Sequence, residues 1–476
     1  MAGASLAAAV AAATCARGAL GQRPGAATPE GRPELLLQSC GAPGSCAEEP
    51  GSVTLDAQWR WLHDAELRDC MEKEAWNKDV CKDPAACAEA CMLEGIAPED
   101  YGALYGVRSD GRGLELGFVT ASDFGRTVGS RLYVMENDDT YKLFQLKNRE
   151  IAFDVDVSTL PCGLNAALYM VEMDAKGGRS PAGAKFGTGY CDAQCPHGQK
   201  FIDGEANLQD WDPARGGHWA SCCPEMDLFE ANTMSMAFTA HPCSAVGPQR
   251  VAGADAGDEA TGDHYMGVCD KDGCDFNPYR LGNKDFFGPG GSGVDSKAPF
   301  TVVTQFLTSD ETDAGELVEI RQFYVQGGRV IESPKPKGLE GVHGNSLTPS
   351  FCDAEKEAFK ACRKPGQDKG PFNKFRDAGG LRAMGEALAR GMVLVFSLWD
   401  DPATAMRWLD SAAEDLPDDV PGVLRGPCSR SEGDAAVVEE TAAGASARFS
   451  NIRYGALGAT TPGVETSSRS PPEEAA

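Results

Sequence analysis

Three acidic side chains lie close together in the segment Cys222-Cys223-Pro224-Glu225-Met226-Asp227-Leu228-Phe229-Glu230-Ala231-Asn232. In a regular β-strand Glu225 and Asp227 would share one face, and Glu230 would point to the other face. One bulged residue between Asp227 and Glu230 would bring all three to the same face, and bulges are common beside active sites. Crowded carboxyl groups raise one another's pKa, which suits groups that perform acid–base chemistry. The segment is therefore predicted to be a bulged strand that carries a reactive site.

Three interpretations of this acidic triplet are open at this point. Retaining glycosidases use two carboxyl groups about 5–5.5 Å apart, one as nucleophile and one as proton donor. Carboxylate oxygens also bind calcium, and an acidic sheet edge in water needs no function. Elsewhere, Asp270-Lys271-Asp272-Gly273 lacks the remaining ligands of a calcium loop, and residues 288–293 are glycine-rich without the strand–helix pattern of a phosphate-binding loop. Neither a metal nor a cofactor is expected.

The charge and composition limit the class of protein. The 476-residue chain has 44 Lys and Arg residues against 71 Asp and Glu residues, a formal net charge of −27. Nucleic-acid binding is excluded, because its affinity depends on a basic surface. With 42% hydrophobic and 24% charged residues, the composition is that of a folded protein with a large core.

Cysteine usage and the first residues indicate export. The 18 cysteines are spread along the chain instead of forming C-x-x-C pairs, which favours disulfides over zinc and an oxidising compartment. Residues 2–16 are apolar, rich in alanine and too short to span a bilayer, and small residues follow them. We predict a signal peptide at residues 1–21 and a secreted protein with no membrane association.

The elements that must hold the triplet are mainly β-strands. Residues 151–157 alternate between apolar and polar positions, and the runs 317–325 and 329–332 flank the turn signal Gln326-Gly327-Gly328. Further strands are predicted at residues 300–306, 392–399 and 447–454, and a helix at residues 381–389. Many strands, one or two helices and long glycine-rich connections predict an all-β sandwich. Residues 459–476 are polar and rich in Pro, Ser and Thr, so a disordered tail should follow one folded domain at residues 22–458.

Motifs around the triplet together resemble glycoside hydrolase family 7, the secreted cellulases that include cellobiohydrolases and endoglucanases. They cover nearly the whole mature chain in the family's order: Gly51-Ser52-Val53-Thr54-Leu55-Asp56-Ala57-Gln58-Trp59-Arg60-Trp61, Leu160-Pro161-Cys162-Gly163-Leu164-Asn165, Gly187-Thr188-Gly189-Tyr190-Cys191-Asp192-Ala193-Gln194-Cys195-Pro196, the acidic triplet, His241-Pro242-Cys243, Gly273-Cys274-Asp275-Phe276-Asn277-Pro278-Tyr279-Arg280 and Ser397-Leu398-Trp399-Asp400-Asp401. The resemblance implies a concanavalin-like β-jelly-roll sandwich whose long loops form a substrate groove or tunnel.

The resemblance also implies roles for individual residues. Glu225 would be the nucleophile, Asp227 the carboxylate that orients it, and Glu230 the general acid/base, with His241 as a supporting residue. Tryptophans would form stacking platforms, because the axial C–H face of a glucose ring is apolar; these are Trp59, Trp61, Trp399 and Trp408. Polar residues expected to bind the chain are Arg131, Asn165, Tyr169, Tyr190, Asp192, Gln194, Lys200, Arg280 and Arg425. Taken singly, a tryptophan more often belongs to a core and a charged residue to a structural ion pair.

The family's cysteine spacing implies eight disulfides, which are Cys40–Cys46, Cys70–Cys91, Cys81–Cys87, Cys162–Cys428, Cys191–Cys223, Cys195–Cys222, Cys243–Cys269 and Cys274–Cys352. Cys15 lies in the predicted signal peptide. Cys362 remains without a disulfide partner, in an insertion-like segment at residues 353–377.

The function that the resemblance implies is hydrolysis of cellulose by a monomeric, retaining β-1,4-glucanase. The full-length loop at residues 244–268 and the Asn277-Pro278-Tyr279-Arg280 segment favour a cellobiohydrolase, which would release mainly cellobiose. The short connection between Trp211 and Cys222, and Pro402-Ala403 in place of aromatic residues, favour a partly open tunnel. An endoglucanase with an open cleft is the alternative. Among non-enzymes, a carbohydrate-binding lectin would keep the tryptophans without needing three converging acids, and a structural wall protein could share the fold.

Overall fold

The computed structural model describes residues 22–72, 74–364, 366–413 and 415–461. Within these ranges, two large and mainly antiparallel sheets contain nine strands (sheet I) and eight strands (sheet II). In chain order the strands are β1 (Leu37–Ala42), β2 (Ser45–Glu49), β3 (Ser52–Leu55), β4 (Val107–Ser109), β5 (Gly113–Gly117), β6 (Ser130–Met135), β7 (Leu143–Phe144), β8 (Arg149–Asp156), β9 (Leu164–Val171), β10 (Glu225–Ala231), β11 (Met236–His241), β12 (Cys274–Phe276), β13 (Phe300–Thr308), β14 (Leu317–Gln326), β15 (Arg329–Glu332), β16 (Met392–Asp400) and β17 (Ser446–Ala456).

The two sheets pack face to face. Sheet I has the order β15-β14-β13-β8-β17-β5-β4, with β1 beside β17 and β2 beside β1; sheet II has the order β12-β11-β10-β9-β16-β6-β3, with β7 beside β16. Between the sheets, the rings of Phe153 and Phe229 lie 6.1 Å apart, and those of Phe396 and Phe449 lie 5.6 Å apart. The predicted all-β sandwich of the jelly-roll type is confirmed.

Side-chain alternation in sheet II separates the core from the opposite face. On β9, Leu168 and Met170 belong to the core between the sheets, whereas Ala167, Tyr169 and Val171 belong to a second cluster on the outer face of sheet II. All eight residues of β9 are nevertheless buried. Long loops therefore cover the outer face of this sheet, which is where a substrate groove can form.

Short strand pairs and helices build these loops. The short strands are Arg23–Pro24, Leu62–His63, Met71–Glu72, Ala75–Trp76, Met92–Leu93, Val119–Ser122, Gly125–Val128, Phe201–Ile202, Glu205–Ala206, Ala220–Cys222, Gln249–Val251, Phe287–Gly288 and Val294–Asp295. The α-helices are α1 (Pro84–Ala90), α2 (Pro98–Tyr105), α3 (Pro349–Ala358), α4 (Lys374–Asp377), α5 (Gly380–Arg390), α6 (Arg407–Asp410) and α7 (Ala435–Thr441), and short 3-10 turns include Gly253–Ala256, Glu259–Thr261 and Lys360–Cys362. Every strand predicted from periodicity is present, and the predicted helix is α5.

The prediction of only one or two helices was wrong. Several of the missed helices are short and begin with proline directly after a capping residue. The Asp83 side chain accepts a hydrogen bond from the Ala86 amide at the start of α1, and Thr348 caps α3 in the same way. Proline at the first helical position after such a residue is a recognised helix start. That signal was present in the sequence. These helices are, however, too short to show a clear helical period of apolar residues, which was the pattern used to predict helices.

All eight expected disulfides are present, so this prediction is confirmed. Cys162–Cys428 joins residues 266 positions apart. Cys362 forms no disulfide within the described ranges, and its thiol donates to the Pro421 carbonyl, 3.1 Å away. Cys15 lies outside the described residues.

The ends of the predicted domain need one correction. Ala459, Thr460 and Thr461, expected to begin a disordered tail, are buried. The amide and hydroxyl of Thr460 donate to Glu150 Oε1 at 2.8 and 2.7 Å, which ties this segment to β8. The rest of the predicted tail and the predicted signal peptide lie outside the described residues. Across the described ranges, no helix has the length and apolar character needed to cross a membrane.

Candidate active site

A cavity of about 980 Å³ lies over the outer face of sheet II. All four predicted catalytic residues line it, together with ten of the predicted binding residues: Trp59, Arg131, Tyr169, Tyr190, Asp192, Gln194, Arg280, Trp399, Trp408 and Arg425. The fold thus brings together residues from β6, β9, β10, β11, β16 and the loops between them.

The predicted bulge in β10 is present. Along β10 and β11, Asp227 pairs with Thr239 but Glu230 pairs with Ala237, so β10 contains one extra residue between the two acids. As a result, both Leu228 and Phe229 lie in the core, while the three carboxyl groups all line the cavity. The bulge therefore places Glu230 on the same face of sheet II as Glu225 and Asp227, as predicted from their spacing.

The Glu225 carboxylate faces a backbone donor. Its Oε2 accepts a hydrogen bond from the Ala193 amide at 3.0 Å. Burial raises the pKa of Glu225 well above its usual value, and the charges of Asp227 and Asp192 raise it further. The His241 charge and the Ala193 amide act in the opposite direction and favour the ionised form.

Asp227 and His241 form a buried pair beside Glu225. His241 Nε2 lies 3.0 Å from Asp227 Oδ2, and His241 Nδ1 lies 2.8 Å from the Asp270 carbonyl oxygen. A carbonyl only accepts, so Nδ1 carries a proton. Burial alone would lower the pKa of His241, but the hydrogen bond to Asp227 and the charges of Asp227 and Glu225 raise it to about 10. At neutral pH this histidine is therefore a cation that donates from both ring nitrogens.

Glu230 has a different environment. Loss of water contact raises the pKa of Glu230 well above its usual value, and the Asp227 charge adds to this effect. The only side-chain donor to it in the described chain is Asn165, whose Nδ2 lies 2.8 Å from Oε1. Of the two glutamates, Glu230 lacks a backbone N–H partner and is the better placed to hold a proton.

Aromatic side chains form part of the cavity wall. The rings of Trp399 and Trp408 are stacked with centroids 6.1 Å apart, and the Trp408 indole N–H donates to Asp401 at 3.1 Å. The Trp59 indole N–H donates to the Val128 carbonyl at 3.3 Å. These bonds fix the ring planes while leaving each residue only partly buried. Such half-exposed, oriented rings are able to stack on the apolar face of a sugar.

Polar residues of the wall are fixed by one another. Arg131 forms an ion pair with Asp56 at 2.8 Å and lies 3.3 Å from the centre of the Tyr190 ring, and the hydroxyls of Tyr190 and Tyr169 lie 2.8 Å apart. Farther along, the Gln194 side chain donates to the Lys271 carbonyl at 2.8 Å. Arg280 pairs with Asp275 and, at 3.1 Å, with Glu355. These contacts preorganise polar groups for a ligand.

The other three predicted binding residues do not line this cavity. Asn165 is fully buried beneath it and contacts Glu230. Lys200 Nζ donates to the Gln58 carbonyl at 2.7 Å. Trp61 is 43% exposed, and its indole N–H donates to Asp69 at 2.6 Å. These three residues therefore do not contact the interior of the cavity directly, unlike the wall residues.

Sequence analysis singled out the loop at residues 244–268 as a tunnel-forming feature, but it did not name the individual residues of this part of the wall or the contribution of the insertion-like segment. Residues 259–272 and 359–372 contribute charged and aromatic groups to the cavity, namely Glu259, His264, Tyr265, Lys271, Asp272, Phe359, Lys360, Arg363, Lys364, Gln367 and Phe372. The second group comes from the insertion-like segment. Its run of basic residues in a chain with a net charge of −27 was the one available signal.

Two carboxyl groups in different environments, an oriented Asp–His pair and partly exposed tryptophans in one groove are typical of a carbohydrate-hydrolysing site. The model of the family described as glycosyl hydrolase family 7 matches residues 24–461. A cellobiohydrolase of that family from Daphnia pulex is 41% identical, with a TM-score of 0.89 over 92% of this chain and 100% of that one. A cellobiohydrolase from Melanocarpus albomyces, complexed with cellotetraose, is 40% identical, with a TM-score of 0.84 over 93% of this chain and 100% of that one. The Humicola insolens endocellulase EGI is 35% identical, with a TM-score of 0.76 over 92% of this chain and 100% of that one.

The chain belongs to glycosyl hydrolase family 7. It is therefore an enzyme of the glycoside hydrolase class, which agrees with the predicted family, fold and class of activity.

Proposed function

We propose that the protein is a secreted, retaining β-1,4-glucanase that hydrolyses cellulose and releases mainly cellobiose. The observation that carries this proposal is the bulge of β10, because it directs Glu225, Asp227 and Glu230 into one groove. A lectin would have no use for that arrangement. Cello-oligosaccharides are the expected ligands, and the enzyme is expected to act as a monomer.

The reaction runs in two displacements. In the first, Glu230 donates its proton to the glycosidic oxygen while the Glu225 carboxylate attacks the anomeric carbon, which forms a covalent glycosyl-enzyme and releases the leaving sugar. In the second, Glu230 takes a proton from water, and that water displaces Glu225. Two inversions at the anomeric carbon give net retention of configuration.

The neighbouring residues keep the two glutamates in these roles. The His241 cation and the Ala193 amide favour ionised Glu225, as a nucleophile requires. Asp227 holds His241 in place through the 3.0 Å contact. Asn165 touches Glu230 and no part of the cavity, so it is a positioning residue for the acid.

Binding of a glucan chain is assigned to the tryptophans and polar wall residues. Trp59, Trp399 and Trp408 are the proposed stacking platforms within the groove, and Trp61 is a proposed outer platform on the surface. Arg131, Tyr169, Tyr190, Asp192, Gln194, Arg280 and Arg425 are proposed to bond sugar hydroxyls, with Lys200 supporting the wall through Gln58. Relatives solved with cellotetraose and with cellobiose support this class of ligand.

The preference for cellobiohydrolase over endoglucanase rests on the loops that line the cavity and on sequence identity to the solved relatives. Residues 259–265 of the long loop contribute to the cavity wall, as a tunnel-forming loop would. The identities to the Daphnia and Melanocarpus cellobiohydrolases, 41% and 40%, exceed the 35% to the Humicola endocellulase. Ala403 and Thr404 line the cavity where larger side chains would narrow it, so a partly open tunnel is proposed.

A product profile on cellulose tests the proposal. Cellobiose should dominate, and the anomer formed first from a cello-oligosaccharide should be β when followed by NMR. Rapid internal cutting of soluble substituted cellulose with mixed longer oligomers would instead assign the endoglucanase function. Absence of any released sugar would refute the proposal. Export would be tested separately, by finding the mature chain outside the cell without residues 1–21.

A further inference from the structure

Two chain segments meet at the part of the cavity wall formed by the long loop and the insertion-like segment. We name residues 253–268 the roof loop and the described residues 359–364 and 366–373 the inserted segment. The roof loop begins with the 3-10 turns Gly253–Ala256 and Glu259–Thr261, and the Cys243–Cys269 disulfide closes the chain around it. Both segments line the cavity.

Charged and amide groups join the two segments near Glu259. Lys364 Nζ lies 2.6 Å from Glu259 Oε1. The Gln367 side chain bonds the roof loop twice: its Nε2 donates to the Glu259 carbonyl at 2.8 Å, and its Oε1 accepts from the His264 amide at 3.0 Å. One amide side chain thus satisfies backbone groups at two points of the roof loop.

Further contacts extend this interface to the far side of the roof loop. Lys369 Nζ donates to the Thr261 carbonyl at 2.7 Å and pairs with Asp263 at 3.0 Å. The Arg363 guanidinium lies 3.9 Å from the centre of the Tyr265 ring. The hydroxyl of Tyr265 accepts from the Lys364 amide at 3.2 Å. The contacts therefore run along the roof loop from residue 259 to residue 265.

The approach of the two backbones is also close. Gly370 has a φ of +91°, and a Cβ added there would lie 2.6 Å from the Tyr265 carbonyl oxygen. Only glycine combines that backbone conformation with this proximity. The inserted segment is thus shaped to fit against the roof loop, in addition to carrying groups that bond to it.

We propose that the inserted segment is a brace that holds the roof loop closed over the cavity, and that Lys364, Gln367 and Lys369 are positioning residues that favour release of cellobiose over internal cutting. This inference rests on the proposed function for its effect on products. A loop held closed keeps one glucan chain in the groove between cuts, whereas a loop that opens lets an internal stretch of chain enter.

The decisive variant is the triple substitution Lys364→Ala, Gln367→Ala and Lys369→Ala. Amide hydrogen exchange of peptides from residues 253–268 should become faster by about tenfold or more, because several contacts that close the loop are lost. The rate of internal cutting on soluble substituted cellulose should rise relative to cellobiose release from insoluble cellulose.

The single variant Lys369→Ala, whose side chain does not line the cavity, should shift both readouts in the same direction while leaving turnover of a short cello-oligosaccharide unchanged.

Arg376→Ala provides the matched control. Arg376 lies in α4, three residues beyond the inserted segment, is exposed, and pairs with Asp353 and Asp377 instead of the roof loop. Its removal deletes a positive charge of the region without deleting a brace contact. Exchange of residues 253–268 and the product ratio should both stay at the unmodified values.

The outcomes separate the brace from the proposed function. Unchanged exchange of residues 253–268 in the triple variant overturns the brace. Faster exchange with an unchanged product ratio overturns its role in mode of action. If the unmodified enzyme hydrolyses no cello-oligosaccharide, the proposed function fails, but the exchange experiment still decides whether the brace exists.

Discussion

Glu225 and Glu230 are similar carboxyl groups that the fold places in unlike surroundings. Replacing either one by glutamine is nearly isosteric, so the fold should survive while the proposed nucleophile or the proposed proton donor is lost. We expect kcat on a cello-oligosaccharide to fall by about 10³-fold or more in each variant. Thermal melting should change little.

Glu205→Gln is the matched control for these two substitutions. Glu205 pairs with Arg250 at 2.7 Å and does not line the cavity. Its kcat should equal that of the unmodified enzyme. Near-normal turnover in Glu225→Gln or Glu230→Gln would contradict the catalytic assignment.

The His241 cation gives a second prediction at this scale. Its charge lowers the pKa of both Glu225 and Glu230, against the larger effect of burial. His241→Asn removes that charge, so both pKa values should rise. Glu225 must lose its proton to act, and the acid limb of the kcat/KM profile should therefore move to higher pH. His218→Asn, at a histidine outside the cavity, should leave the profile in place; an unmoved acid limb in His241→Asn would contradict the role of the cation.

Asn165 shows where prediction from sequence is limited at the level of single residues. The family pattern predicted that it binds the sugar chain, yet in the structure it is fully buried and donates to Glu230. Its membership of the site was implied by the family pattern, but its contact depends on β9 pairing with the strand that carries the acid. That the three acids of the triplet share one face was predicted from their spacing and a bulge, whereas their role came only from the family resemblance.

Two disulfides hold the loop that faces Glu225. Cys191–Cys223 and Cys195–Cys222 flank Ala193, whose amide contacts the Glu225 carboxylate. Replacing Cys191 and Cys223 by serine should lower the free energy of unfolding by about 2–4 kcal/mol. It should also lower kcat, since the Ala193 amide loses one of its two anchors.

A disulfide remote from the groove separates these two effects. Cys40–Cys46 joins β1 and β2 of sheet I. Serine at both of its positions should lower the melting temperature without lowering kcat. Equal losses of kcat in the two double variants would show that the Cys191–Cys223 bond has no specific role at the site.

The roof loop should lose stability as the pH rises above about 6.5, the ordinary pKa of histidine. His264 is buried, with Nε2 2.8 Å from Asp272 and Nδ1 3.0 Å from Glu259, and Lys364 also faces Glu259. Burial and the Lys364 charge act to lower the pKa of His264, but the two carboxylates dominate and raise it. A raised pKa means that the stabilisation is complete below about 6.5 and is lost as the pH rises through the folded-state value.

Hydrogen exchange of residues 253–268, corrected for the intrinsic pH dependence of exchange, measures this loss. Protection should decrease on the alkaline side in the unmodified enzyme. In His264→Gln it should be lower from the start and independent of pH over that range. Protection that stays constant in the unmodified enzyme would contradict the role of His264.

At the level of elements, several long strands and the bulge were predicted, whereas β9 and the short helices were not. The alternation within residues 151–157 marked β8, and the turn signal between β14 and β15 marked that hairpin. Helices such as α1 and α3 have cap signals in the sequence, but they are too short to show a helical period, and their packing against neighbours cannot be read from one sequence segment. The bulge was predicted because the three carboxyl groups can face one site only if β10 contains an extra residue between Asp227 and Glu230.

The whole molecule carries a net charge of −27 and acts on an uncharged polymer. This charge cannot steer the substrate, and its main physical effects are solubility and self-repulsion. Salt screens that repulsion, so the melting temperature should rise or stay constant between low and sea-water-like salt. Activity on a cello-oligosaccharide should persist over the same range. A marked fall in either quantity would contradict this account of the charge.

Over the whole chain, sequence reasoning predicted the sandwich and the disulfides but not how the loops meet. The contact between residues 259–265 and 363–370 joins segments about a hundred positions apart through lysines that would suit any exposed surface. Their role becomes visible only when the fold brings Glu259 and Lys364 together. Long insertions in a family pattern therefore need a structure before their function can be assigned.

The Cys162–Cys428 bond has a consequence for the working life of the enzyme. Any single proteolytic nick between these two residues leaves the fragments covalently joined, because the bond spans 266 positions of the chain. Strands on both sides of such a nick stay paired within the same sheets. A clipped molecule should therefore migrate as one band in a gel without reductant and as two bands with it, and in a protease-rich environment it would persist as a single particle.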